Sequence, residues 1–116
     1  MDNVLITGGT GFVGHWMRQA QPNNLSCDYL SRTDYSDSNW WSWDYDYIVH
    51  LANIKPTRVI NSAKNYNARL LYCSSGAVYH PENDTEYRRN KIRWEKECLD
   101  SGADVVIARL FTFYGE

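Results

Sequence analysis

The sequence has no long apolar run, no excess of either charge and few cysteines, and each shortage excludes a class of protein. No apolar run approaches the roughly 20 residues that a membrane-spanning helix needs. The net charge of −2 provides no electrostatic basis for binding nucleic acid or an anionic membrane. The N-terminus, Met1-Asp2-Asn3, lacks the basic residues that begin a signal peptide.

The few cysteine and histidine residues are scattered, which argues against a metal site. Cys27, Cys73 and Cys98 are odd in number and lack metal-ligand spacing, so we expect reduced thiols in a cytoplasmic protein. We interpret His50 as a structural residue, or as one next to the cofactor through its backbone. No metal is expected.

Basic and aromatic residues are present in two local clusters. The basic cluster is interleaved with glutamates, which favours the solvated face of a helix; it contains Arg88, Arg89, Lys91 and Arg93. The aromatic cluster consists of Trp40, Trp41 and Trp43. Its rings could stack on adenine, but we favour packing in the core or at an interface.

The order of apolar runs predicts an α/β fold in a single domain over residues 1–116. Strands are predicted at residues 4–6, 26–31, 45–51, 69–74 and 104–110. Helices are predicted at residues 12–20, 56–66 and 85–100, with a loop over residues 33–42 and a polar loop before the last helix. Strands that alternate with helices indicate a Rossmann-type, doubly wound parallel sheet of about five strands.

A glycine-rich turn follows the first predicted strand and opens the first predicted helix. Glycines allow a tight turn and let backbone amides approach a pyrophosphate, which then lies at the positive end of the helix dipole. The strand–turn–helix context favours a dinucleotide site over a purely structural turn. The cofactor-binding residues predicted here are Gly8, Thr10, Gly11, Phe12, Val13 and Gly14.

The end of the second predicted strand bears on the choice between NADP and NAD. An acidic residue there would bind a ribose 2′-hydroxyl, whereas Ser31-Arg32 offers a cation for a 2′-phosphate. Ser31 and Arg32 therefore favour NADP, while Asp28 and Asp34 nearby leave NAD open.

Five segments together resemble the extended short-chain dehydrogenases, the group of nucleotide-sugar epimerases and dehydratases. In chain order they are residues 4–14, 46–52, 74–79, 87–91 and 109–115. The resemblance implies that Leu51 and Ala52 lie along the cofactor, that Ser75 is the catalytic serine, and that Tyr87 and Lys91 are the Tyr-x-x-x-Lys pair. Lys91 would also hold the nicotinamide ribose, as its counterpart does in the family.

The spacing and chemistry of Tyr87 and Lys91 suit an acid–base role independently of the family resemblance. They are four residues apart and therefore share one face of a helix. A free tyrosine has a pKa of about 10, and a neighbouring ammonium favours its phenolate form. The step implied is hydride transfer between an alcohol carbon and nicotinamide, with Tyr87 as acid or base and Ser75 hydrogen-bonded to the substrate oxygen.

The chain departs from the family in three ways. Residues 32–45 leave no room for the usual helix–strand–helix, so the sheet should be trimmed at one edge. Gly76 and Ala77 replace the acidic pair of the dehydratases, which argues against dehydration. The sequence also ends where the family continues into a substrate-binding lobe, so another subunit would have to wall the pocket; we expect a homodimer or tetramer paired through the helices at 56–66 and 85–100.

Three hypotheses on function follow. The first is an NAD(P)-dependent oxidoreductase or epimerase acting on a small alcohol, ketone or nucleotide sugar. The second is a non-catalytic NAD(P)-binding module, as a sensor or accessory subunit. A weaker third is a fragment whose aromatic surface mediates assembly.

Overall fold

The structure, a computed structural model, contains a five-stranded sheet. It describes residues 2–8, 19, 24–30, 35, 44–79, 81–82 and 84–110, with the backbone alone at position 110. The strands are β1 (Asp2–Thr7), β2 (Leu25–Leu30), β3 (Tyr47–His50), β4 (Arg69–Ser75) and β5 (Asp104–Leu110). All neighbouring strands pair in parallel, in the order β2-β1-β3-β4-β5. This order confirms the predicted parallel α/β sheet of about five strands.

The strand order places β2 at one edge of the sheet and reverses direction between β1 and β3. From β1 the chain goes outward to β2, and it returns across β1 to add β3, β4 and β5 on the other side. With β2 as the outermost strand, the sheet is trimmed at the edge where the sequence leaves no room for a further strand. In open α/β sheets, ligands bind beyond the carboxyl ends of the strands at such a reversal.

Two helices cover one face of the described sheet. Helix α1 (Thr57–Tyr66) contacts β3 and β4, and helix α2 (Glu86–Asp100) contacts β4 and β5. The helix α1 ends at Asn67, whose φ of 57° places it in the left-handed region. The hydroxyl of Thr85 caps α2 by accepting a hydrogen bond from the backbone N–H of Arg88 at 3.1 Å.

The core lies between this face of the sheet and the two helices. Leu5, Ile48 and Leu70 are fully buried on the three central strands, and Val59 and Cys98 reach them from α1 and α2. Strand alternation turns Val106 of β5 to the opposite face, where its side chain is 47% exposed. No helix among the described residues has the length and hydropathy to cross a membrane.

Three predicted elements need correction. The polar loop after the fourth strand contains a 3₁₀-helix, Gly76–Tyr79. The third strand is shorter than predicted, since Tyr45 bonds through its phenol to Asp28 at 2.8 Å and precedes the ladder. Tyr35, in the predicted loop at 33–42, is helical and only 4% exposed, because its hydroxyl donates to the carbonyl of Lys55 at 3.0 Å. The predicted first helix lies almost wholly outside the described residues.

Candidate functional site

The carboxyl ends of β1, β2 and β3 meet at Gly8. The N–H of Gly8 donates to the carbonyl of Leu30 at 3.0 Å, and the N–H of Leu51 donates to the carbonyl of Thr7 at 3.2 Å. The sheet ladder thus runs one residue past β1 on the side of β2 and one residue past β3 on the side of β1. Three predicted cofactor-binding residues, Gly8, Leu51 and Ala52, come together at the strand reversal.

Gly8 fits its position for two reasons. Its φ is +75°, a backbone conformation that other residues seldom adopt. A Cβ there would also lie 2.7 Å from the backbone nitrogen of Ala52. The two chain segments therefore meet backbone to backbone, without a side chain between them, at the edge where this topology binds a dinucleotide. The described residues fit such a ligand.

The other predicted cofactor residues lie outside the described part of the chain. Apart from Tyr87 and Lys91, which are described below, they are Thr10, Gly11, Phe12, Val13, Gly14, Ser31 and Arg32, and the same holds for the three clustered tryptophans. Their roles stay predictions.

A buried hydrogen-bond chain fixes the loop after β3 to the end of β1. His50 is fully buried; its Nε2 lies 2.8 Å from the carbonyl oxygen of Ile54 and its Nδ1 lies 2.7 Å from Oγ1 of Thr7. A carbonyl only accepts, so Nε2 carries the proton and the Thr7 hydroxyl donates to Nδ1. Thr7 Oγ1 in turn accepts from the N–H of Ala52 at 3.3 Å. His50 is thus structural, one of the two interpretations that the sequence allowed.

Burial keeps this imidazole neutral. The pKa of His50 falls from 6.5 to about 4. Burial is the main cause, the Ile54 carbonyl opposes it, and the nearby Lys91 ammonium adds to it. The segment that presents Leu51 and Ala52 therefore depends on an uncharged histidine at neutral pH.

Ser75 is the last residue of β4, directly before the 3₁₀-helix. Its Oγ accepts a hydrogen bond from the N–H of Ala77 at 3.1 Å and is half-buried. Because that bond uses a lone pair, the hydroxyl proton of Ser75 is left for another acceptor.

Tyr87 and Lys91 lie in the first two turns of α2, as predicted. The Tyr87 side chain is 40% exposed, whereas Lys91 is only 3% exposed. The Nζ of Lys91 lies 5.5 Å from the centroid of the Tyr87 ring. The structure therefore brings the two predicted residues together, with the phenol facing outward and the ammonium beneath it.

Two more aromatic rings surround the Lys91 ammonium. Its Nζ lies 5.5 Å from the ring centroid of Tyr72 on β4 and 5.7 Å from that of Trp94 on α2. We call Tyr72, Tyr87 and Trp94 the ring cage. All three distances fall within the range of cation–π contacts. Burial lowers the pKa of Lys91, and Cys73 and Glu95 offset this only in part.

One turn further along α2, the buried carboxylate of Glu95 forms an ion pair with the partly exposed Arg109 of β5. The Arg109 Nη2 lies 2.7 Å from Oε1 of Glu95, and its Nε lies 3.1 Å from Oε2. The Arg109 guanidinium also lies 4.7 Å above the ring of Tyr79, at the end of the 3₁₀-helix. Burial raises the pKa of Glu95, but the hydrogen bonds from Arg109 and Ser74 and the positive charges of Arg109 and Lys91 together hold it below its ordinary value. The pair joins α2, β5 and the segment after Ser75.

The interpretation of the basic run as a solvated face is wrong for two of its four members. Lys91 is buried in the ring cage. The Arg88 side chain is only 16% exposed, because it lies 3.6 Å from Asp84 and donates to the carbonyl of Val78 at 3.3 Å. Interleaved charges did not reveal this, because burial depends on which helix face meets β4.

Sequence reasoning missed the residues around the Tyr87–Lys91 pair. A partial signal existed for Tyr72, which alternates with Leu70 and so shares its buried face, and for Glu95, which lies four residues after Lys91. No sequence signal pairs Glu95 with Arg109. Among the described residues, no group of His, Cys, Asp or Glu could hold a metal ion, and the three cysteines are free thiols.

Comparisons with known proteins place the fold. No protein-family model and no curated protein sequence matches the chain. Solved structures do match. The capsular polysaccharide assembling protein CapF of Staphylococcus aureus has a TM-score of 0.80 at 22% identity, over 98% of this chain and 35% of that one.

Two further structures agree. The ADP-L-glycero-D-manno-heptose-6-epimerase of Helicobacter pylori has a TM-score of 0.67 at 18% identity, over 91% of this chain and 53% of that one. A mutated uronate dehydrogenase has a TM-score of 0.66 at 18% identity, over 93% of this chain and 57% of that one. The chain thus spans between 35% and 57% of the length of these three proteins. The likeness confirms the predicted Rossmann-type fold.

Proposed function

We propose that this chain is an NAD(P)-dependent oxidoreductase or epimerase of the short-chain dehydrogenase type. The observation that carries the proposal is the Tyr87–Lys91 pair, whose buried ammonium lies 5.5 Å from an outward-facing phenol ring. The fold is shared with proteins described as an epimerase and a uronate dehydrogenase, which supports a small alcohol, ketone or nucleotide sugar as substrate.

The cofactor would lie at the carboxyl ends of β1 and β3. Gly8, Leu51 and Ala52 would contact it, together with the glycine-turn residues Thr10, Gly11, Phe12, Val13 and Gly14, and Ser31 and Arg32 would take the 2′-phosphate of NADP; NAD is the other candidate. When bound, the nicotinamide would accept or deliver a hydride.

The chain's own residues would position the substrate and move its proton. Ser75 would donate its free hydroxyl proton to the substrate oxygen, since Ala77 already donates to Oγ. The Tyr87 oxygen would take that oxygen's proton in one direction and return it in the other. The Lys91 ammonium favours the phenolate form of Tyr87 and would bind the nicotinamide ribose after turning outward.

A second candidate function is a non-catalytic NAD(P)-binding module. One observation favours it: with 3% exposure, the Lys91 ammonium faces aromatic rings and reaches a ligand only if the side chain moves. The cofactor edge at Gly8 does not depend on that movement.

A homo-oligomer, dimer or tetramer, is part of the proposal. The buried side of α2 carries Lys91 and Cys98, while Ile92 and Leu99 lie on a second stripe with 40% and 67% exposure. An apolar stripe on the solvent side of a helix is typical of an interface. Sedimentation of the wild type and of the Ile92→Ser/Leu99→Ser double variant tests this, and a monomeric wild type would contradict it.

Cofactor titration and turnover test the function in two steps. Binding of NADP⁺, NAD⁺ and their reduced forms is measured first by calorimetry, and no binding of any of them would end both candidate functions. Turnover is then measured on a panel of nucleotide sugars and small alcohols. Tyr87→Phe should abolish turnover and retain cofactor binding. Binding without turnover on any panel member would favour the non-catalytic module.

A further inference from the structure

The charge of Lys91 is buried without a carboxylate of its own. Among the described residues, the acid next to it along α2 is Glu95, and both oxygens of Glu95 accept hydrogen bonds from Arg109. Ionised buried lysines are normally paired, because isolated charges are costly to remove from water. Glu95 therefore offsets only part of the cost of burying this ammonium, and the groups in contact with Nζ must supply the rest.

The other titratable groups near Lys91 carry no negative charge at neutral pH. Cys73, on β4, is a thiol whose pKa is raised by burial to about 11. His50, on β3, is neutral because burial lowers its pKa to about 4. Among the described residues, the contacts of the Lys91 ammonium are the π faces of the ring cage.

We propose that, until the cofactor binds, Tyr72 and Trp94 are positioning residues whose π faces hold the Lys91 ammonium, charged, against the ring of Tyr87. This rests on the proposed function, in which Tyr87 and Lys91 act as a pair. The three rings differ in burial: Tyr72 is fully buried, Trp94 is partly buried and Tyr87 is 40% exposed. The buried rings thus exclude water on the inner side while the reactive phenol stays open to a substrate.

The ring of Tyr72 matters in the cage, and its hydroxyl does not. Tyr72 Oη is buried and has no hydrogen-bond partner in the described part of the chain. Phenylalanine would keep the π face and remove this unsatisfied hydroxyl, whereas leucine would keep an apolar side chain and remove the π face. Tyr72→Phe is therefore a matched control for Tyr72→Leu.

The test reads the titration of Lys91 directly, in the protein without cofactor. The Cε resonances of isotope-labelled lysines are followed by NMR against pH, and a Lys91→Met variant assigns the signal. Tyr72→Phe should titrate as the wild type does, and Tyr72→Leu should give a Lys91 pKa lower by about 1, because a desolvated cation–π contact is lost.

A second pair of variants keeps the test independent of folding at position 72. Trp94→Phe should lower the Lys91 pKa less than Trp94→Leu, since Phe retains a weaker π face. Circular dichroism checks that each variant is folded. Equal titration of the Phe and Leu variants at both positions would overturn the proposal, and so would a rise of the Lys91 pKa on ring removal, which would mean that the rings act only by excluding water.

The result separates this proposal from the proposed function. A Phe–Leu difference without turnover by the wild type would overturn only the enzymatic function. Turnover with identical Phe and Leu titrations would overturn only the role of the rings. If both proposals hold, turnover by Tyr72→Leu should have its pH profile displaced to higher pH than that of Tyr72→Phe.

Discussion

Two regions of the candidate site bury polar groups in opposite ways. At the carboxyl ends of β1 and β3, Thr7 and His50 form a chain of neutral hydrogen bonds that reaches the backbone of Ala52. Between α2, β4 and β5, the buried groups are charged: Lys91 lies among aromatic rings and Glu95 is paired with Arg109. The stability of the first region is therefore sensitive to protonation of His50, and that of the second to the loss of a charged partner such as Arg109.

The difference corresponds to the work proposed for each region. A dinucleotide needs a fixed backbone, which neutral hydrogen bonds supply without repelling its phosphates. Proton transfer needs a charge held close to a phenol in a place of low polarity, where electrostatic effects are stronger than in water. The contrast between the two regions gives rise to four expected effects on stability, in descending order of size.

Gly8→Ala should cause the largest loss of stability, in the neutral region formed by Thr7, His50 and Ala52. A left-handed alanine costs about 1–2 kcal/mol, and overpacking against the Ala52 backbone adds about 1–3 kcal/mol, against a total stability of about 5–15 kcal/mol. Gly102→Ala is the matched control, because Gly102 has a φ of +81° but nothing within 4 Å of an added Cβ. Urea unfolding of both variants separates clash from conformation, and equal losses would contradict the close approach at Gly8.

Arg109→Leu should destabilise the charged region by about 3 kcal/mol, since it leaves Glu95 buried and without its partner. Glu95→Leu should cost less, because the side chain of Arg109 is 36% exposed and can turn to water while that of Glu95 is 7% exposed. Urea unfolding at neutral pH measures both. A larger loss for Glu95→Leu would show that the arginine is the more deeply buried partner.

Acidification from about pH 7 to about pH 5 should lower the free energy of unfolding by about 2 kcal/mol, through protonation of His50 in the neutral region. The pKa of His50 is lowered to about 4 in the folded protein, whereas the histidine of the unfolded chain has a pKa of 6.5. The unfolded chain therefore binds more protons in this window, and the stability falls as the pH is lowered. The loss is complete near the folded pKa. His50→Gln should flatten the dependence of unfolding free energy on pH, and an unchanged slope would exclude His50 as the source.

Lys96→Ala should leave the unfolding free energy unchanged within error. Lys96 and Asp100 form a 2.8 Å ion pair one turn apart on α2, with side chains 77% and 64% exposed. Water screens such pairs and side-chain ordering offsets the attraction. The acids of both ion pairs lie on α2, so comparison with Arg109→Leu isolates burial of the carboxylate as the factor that makes a pair matter, and a comparable loss would contradict that.

Local sequence patterns sufficed to predict the helices and strands and much of their order. Apolar runs located all five strands, the last of them at residues 104–110 as observed, and Thr85 marked the start of α2. The four-residue spacing of Tyr87 and Lys91 sufficed to place them on one helix face, because helical periodicity is a local property. Gly8 was identified by its motif, although its clash with Ala52 was not foreseen.

Which charges are buried, and which groups face them, depends on contacts between distant parts of the chain. Thr7 meets His50 across 43 residues, and Glu95 meets Arg109 across 14, through strand pairing and helix packing that no local pattern encodes. The burial of Lys91 among Tyr72, Tyr87 and Trp94 was hidden in a run of basic residues that looked solvated. Local sequence fixes which face of a helix a residue occupies, but the neighbours of that face come from distant strands, and those neighbours set the solvation of each charge.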